Sequence, residues 1–98
     1  MRREDFIFTI GYQEDTAIVD GRARSRYGRY STRELADQGL LKPSLSSALY
    51  SKSPEELEEV LRVFNERSGT DPISIEQLKR TLGVFEVPAA IISKVKII

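Results

Sequence analysis

The chain has 98 residues, 40% of them apolar and 31% charged, and its 15 basic and 15 acidic side chains cancel. That length makes one domain with one modest core, expected over residues 1–98, and the composition lies away from the weakly apolar, strongly charged range of disorder. Cys and His are both absent, which excludes disulfides, thiolate nucleophiles, iron–sulfur ligation, Cys or His zinc sites and a Ser-His-Asp arrangement.

At the start, Met1-Arg2-Arg3 is followed by acidic Glu4 and Asp5 and by no apolar segment of leader length, so it reads as the entry to a first strand. Phe6 to Tyr12, FIFTIGY, is rich in aromatic and branched residues and predicts that strand. Gln13 to Thr16 is a polar cluster of hairpin-loop length. A second strand is expected from Ala17 to Tyr27, ended by Gly28. Extended, it would put Arg22, Arg24 and Arg26 in a row on one face, with Ala17, Val19, Gly21, Ala23, Ser25 and Tyr27 on the other.

Three helices follow with the same punctuation. Ser31-Thr32-Arg33-Glu34, Ser53-Pro54-Glu55-Glu56 and Ser74-Ile75-Glu76-Gln77 each match the capping box, and Gly39, Gly69 and Gly83 stand where each helix should stop. In the middle helix Pro54 suits the first position, Leu57, Val60, Leu61 and Phe64 form an apolar stripe, and Glu55, Glu58, Glu59, Arg62 and Glu66 form the opposite face. Leu45 to Tyr50 is expected to be a further short helical turn, entered after Pro43. The tail alternates after Pro88, with Ile91, Val95 and Ile97 on one face and Lys94 and Lys96 on the other, and is expected to return as a strand. The fold class is therefore α+β: a small, mostly antiparallel sheet of an N-terminal hairpin plus a C-terminal strand, with three to four helices packed on one face.

The chemistry narrows with the missing residue types. Ser93-Lys94-Val95-Lys96 matches S-x-x-K, but that motif works on a helical turn and this segment reads as a strand. Glu14, Asp15 and Asp20 read as a polar hairpin loop rather than a cation site, and the acids of the middle helix are explained by its macrodipole. Neither GxxxxGK[ST] nor GxGxxG occurs, so no cofactor and no metal is expected. The longest apolar run, Pro88 to Ile92, is far short of the ~20 residues that cross a bilayer, so no membrane association is expected, and the absence of cysteine fits a reducing cytoplasm.

The distinctive feature is the arginine segment: Arg22, Arg24, Arg26, Arg29 and Arg33, interleaved with Tyr27 and Tyr30 and free of carboxylates between Asp20 and Glu34. It is the candidate anion- or partner-binding surface. The favoured expectation is a non-enzymatic protein-interaction module that associates with a protein partner, including a second copy of itself through the edge ending in Ile97-Ile98. The first alternative is nucleic-acid binding, with guanidinium groups on phosphates and tyrosines stacked on bases. The second is a small-ligand-binding protein or enzyme with a pocket formed by Tyr12, Tyr27, Tyr30 and Tyr50.

Overall fold

The computed structural model describes residues 2–69, 71–84 and 94–98. In chain order these form α1 (Arg3–Ile7), β1 (Thr9–Gln13), β2 (Thr16–Val19), α2 (Gly21–Tyr27), α3 (Thr32–Asp37), α4 (Leu41–Ser51), α5 (Pro54–Ser68), α6 (Ile75–Leu82) and β3 (Lys94–Ile97). The protein is α+β, with a small sheet in the order β1-β2-β3. The expected pairing of an N-terminal hairpin with a C-terminal strand is met, and six helices are present among the described residues where three to four were expected. The start expected for the last strand after Pro88, Ile91 included, lies outside the described residues.

β1 and β2 pair antiparallel through a tight turn at Glu14 and Asp15, and β3 lies parallel to β2 with Ala17 opposite Val95 and Val19 opposite Ile97. Cross-strand partners share a face, so fully buried Ala17 and Val19 mark the side on which the helices pack. β1 holds one extra residue between Thr9 and Gly11, so Ile10 has no residue opposite it on β2.

Two expectations for the N-terminal region are overturned. Phe6 to Phe8 are not strand: Arg3 to Ile7 form a helical turn with Glu4 and Asp5 at its positive end, and the strand begins only at Thr9. Three consecutive buried side chains, Phe6, Ile7 and Phe8, are what a helix running into a turn against the core produces, whereas a strand with one wet face would bury alternate residues. Nor do residues 17–27 run extended throughout. β2 stops at Val19, and Asp20 caps a helix by accepting from the Ala23 backbone N–H at 3.1 Å. Arginine and alanine are strong helix formers and no β-branched residue occurs between Asp20 and Tyr30, so propensity, cap and structure agree.

The remaining helices follow their punctuation. Ser31 with Glu34 and Ser74 with Gln77 form reciprocal capping boxes, whereas Ser53 accepts from the Glu56 N–H while the Glu56 carboxylate turns to Ser51 Oγ at 2.9 Å. Gly69 and Gly83 take the left-handed conformation just past α5 and α6, with φ of 64° and 68°.

α4 is longer than the short turn expected after Pro43. It starts at Leu41, and Pro43 sits in the first turn, where its missing N–H has no intrahelical partner to lose. This helix is the centre of the molecule, with Ser44, Leu45, Ser47 and Ala48 at no more than 1% exposure. On one side it meets α1 and α3, and on the other α5 and α6. Phe6, Ile7, Phe8, Val19 and Leu35 make one apolar cluster, and Leu45, Ala48, Val60, Leu78 and Val84 make the second.

Candidate functional site

The arginine segment divides by helical geometry. Residues two apart on a helix point to different faces, so the single row expected from an extended chain does not exist. Arg24 turns inward. Its Nε donates to Asp5 Oδ1 at 2.6 Å and its Nη2 lies 3.7 Å from Glu4 Oε1, which binds α2 to α1. Asp5 is buried, and the pair is charge-assisted at a short distance, so Arg24 acts as a structural cation.

Arg22 and Arg26, one turn apart, share the solvent side of α2 and are both exposed. The Arg26 guanidinium lies 5.2 Å from the centre of the Tyr27 ring. Arg29 follows in the turn after α2, also exposed. Neither Arg22 nor Arg29 has a carboxylate partner among the described residues. Arg33, on α3, faces Glu59 of α5 at 3.6 Å in an exposed pair.

Tyr27 and Tyr30 pack edge to face at 5.3 Å and lean on the first apolar cluster. They are half-buried core-edge residues rather than freely presented rings. The four tyrosines do not gather around one cavity: Tyr50 packs on Phe6 at 5.9 Å, Tyr12 lines one depression, Tyr27 a second and Tyr30 a third. Partial burial raises the Tyr12 phenol above the ordinary tyrosine value.

Arg3 and Asp5, which carried no motif in the sequence, are what position this surface. Arg3 donates from Nε and Nη2 to Ser47 Oγ at 3.2 and 2.8 Å, and from Nη1 to Gly28 O at 3.1 Å. Another Nη2 hydrogen bond reaches Tyr30 O at 2.5 Å, so one guanidinium fastens the turn after α2 to α4. Ser47 Oγ also shares a 2.7 Å hydrogen bond with Thr32 Oγ1, and Ser44 Oγ donates to Thr32 O at 2.9 Å. A shallow depression of about 320 Å³ opens here, lined by Arg29, Ser31, Ser51 and Glu56 among others. Its buried hydroxyls are engaged with one another and with Arg3, which makes it a polar knot of the fold.

The acids near the hairpin are dispersed. Asp20 caps α2, and Asp15 faces Lys94 at 3.7 Å and Thr16. Glu34 has its carboxyl held below the ordinary glutamate range by the Ser31 backbone N–H and then by the Ser31 hydroxyl. Among the described residues no helix is long and apolar enough to cross a membrane.

Compared with protein-family models, curated proteins and solved structures, the chain matches none.

Proposed function

We propose that this protein is a non-enzymatic interaction module that uses the exposed side of α2 to bind an acidic protein surface. The observation that carries the reading is the division of the arginines: Arg24 is paired inside the fold, while Arg22, Arg26 and Arg29 stand in solvent without a carboxylate partner among the described residues. Three guanidinium groups on a short, anchored stretch suit oriented recognition of carboxylates, each offering a planar fork of donors. A protein partner is favoured over unstacked bases because Tyr27 is flanked by Tyr30 and Arg26. The rest of the molecule also weighs against a long polyanion. Residues 34–98 hold eight cations (Lys42, Lys52, Arg62, Arg67, Lys79, Arg80, Lys94 and Lys96) against ten acids.

The test is fluorescence anisotropy at low salt with two labelled probes, a peptide rich in Asp and Glu and a single-stranded RNA of similar length. The expected result is saturable binding of the peptide, lost in a variant with Arg22, Arg26 and Arg29 all changed to Ala and retained in Arg33→Ala. Tighter binding of the RNA would replace this reading with the nucleic-acid one, and no binding of either probe would remove both.

A further inference from the structure

The two edges of the sheet differ in a way that the α2 surface does not explain. The outer edge of β3 is guarded by Lys94 and Lys96, charged residues of the kind that discourage strand addition. β1, Thr9-Ile10-Gly11-Tyr12-Gln13, carries no charge and no proline, and no strand lies on its outer side among the described residues. Ile10 and Tyr12 are 58% and 46% exposed and line one shallow apolar depression of about 180 Å³ together with Phe6 and Val84.

Gly11 lies between them. A glycine within a strand weakens it by roughly 0.5–1 kcal/mol and often marks a bulge, a tight bend or a close approach of another backbone. Within this chain Gly11 directly follows the bulge at Ile10 and its φ is not positive, while a Cβ built there would touch nothing within 4 Å, so the space beside it is open to another chain. Ile10, the extra residue of β1, likewise has no residue opposite it on β2.

We infer that β1 is a self-association edge, on which a second copy of this chain docks its own β1 antiparallel about a two-fold axis at Gly11. That axis sets Ile10 of each copy against the partner's Tyr12, so the exposed apolar pair of one edge covers that of the other. An aromatic residue facing a branched one is a favourable cross-strand combination, and the strand's neutrality means that the symmetric pairing brings no like charges together. The same operation on β3 would bring lysines together, which is why the choice falls on β1 rather than on the edge ending in Ile97-Ile98. An interface of one short strand and its flanking depression is at the small end of specific interfaces, so the dimer is a weak one with dissociation in the micromolar range. The inference goes beyond the α2 reading and stands or falls separately from it.

Sedimentation velocity over a wide concentration range tests it. The wild type is expected to pass from monomer to dimer at micromolar concentrations. Ile10→Lys and Tyr12→Glu, each alone, are expected to weaken dimerisation by about tenfold or more. An equimolar mixture of the two is expected to recover it, because in the mixed dimer the introduced lysine faces the introduced glutamate and the remaining Ile10 faces the remaining Tyr12. Lys96→Glu is expected to leave the equilibrium unchanged. Hydrogen exchange on the wild type supplies a readout that needs no substitution: amides of residues 9–13 are expected to gain protection as concentration rises. A strict monomer at hundreds of micromolar, a dimer indifferent to Ile10→Lys, or no concentration-dependent protection at residues 9–13 would each overturn the inference, while leaving the α2 surface to its own peptide test.

Discussion

Helices α2 and α5 are both capped by an oxygen-bearing side chain, yet they are held in opposite ways. α5 has Ser53 at its cap, Pro54 at its first position, a left-handed Gly69 at its end and buried Val60 and Val63 on its inner side. α2 has no buried residue at all. It depends on Asp20 at its cap, on Arg24 reaching Asp5, and on the carbonyl of Ile98, which accepts from the Gly21 N–H at 3.1 Å. Gly21 is needed there, since a Cβ would lie 2.6 Å from Ile97 Cγ2 and 2.7 Å from the Ile98 carbonyl oxygen. The difference teaches that α5 is fastened chiefly by apolar area and α2, beyond its partly buried Ala23 and Tyr27, by polar contacts to neighbouring elements, and that the second arrangement leaves three arginines facing outward.

The largest effect is expected where the comparison rests on apolar area. Leu45, fully buried in α4, packs in one cluster with Val60 and Leu78, so Leu45→Ala should cost about 2–5 kcal/mol and lower the urea midpoint while loosening α5 and α6 together. Asp5→Ala comes next. It removes the short hydrogen bond to Arg24, a side chain 28% exposed, and solvent screening keeps the expected loss at about 1–2 kcal/mol. Hydrogen exchange should then rise in α2 and not in α5, and equal loss in both helices would erase the distinction.

Asp20→Ala sharpens the contrast further. Loss of the cap should cost about 1 kcal/mol and fray α2 alone, which backbone amide exchange of residues 21–27 reads directly. The smallest effect concerns Glu34 in the capping box of α3. Its folded pKa is depressed, so its contribution is fully present above the unfolded glutamate value and is lost as pH falls through the lower folded value. An NMR titration should show the Glu34 carboxyl titrating below a peptide glutamate, and in Ser31→Ala it should return toward the ordinary value.

This contrast also explains what was legible in the chain. Helices α3, α5 and α6 carry their instructions locally: serine caps, Pro54, glycine stops and the Leu57, Val60, Leu61, Phe64 stripe give the boundaries of α5 and α6 nearly to the residue. α4 was only half legible because Ser44, Ser46 and Ser47 are buried polar residues that break its apolar pattern, and the partners of Ser44 and Ser47, Thr32 and Arg3, are distant in sequence. In α2 the alternation of arginine with glycine, alanine and serine imitates a half-exposed strand. The signals against a strand were Asp20 as a cap and the lack of branched residues after it. The arginine segment stands out in the sequence as a run of cations, but its division into Arg24 inside and Arg22, Arg26 and Arg29 outside depends on Asp5 and on helical phase. The first strand was placed too early because aromatic and branched residues at Phe6 to Phe8 serve a core as well as a sheet.

The central claim, that residues 21–27 form a capped helix which sorts the arginines, is tested most directly by backbone NMR chemical shifts of that segment in the intact protein. Cα shifts displaced downfield of random-coil values from Gly21 to Tyr27, with slow exchange of the Arg24 amide that donates to Asp20 O, are the expected result. Upfield Cα shifts, the mark of extended chain, would restore a single row of arginines and contradict the account.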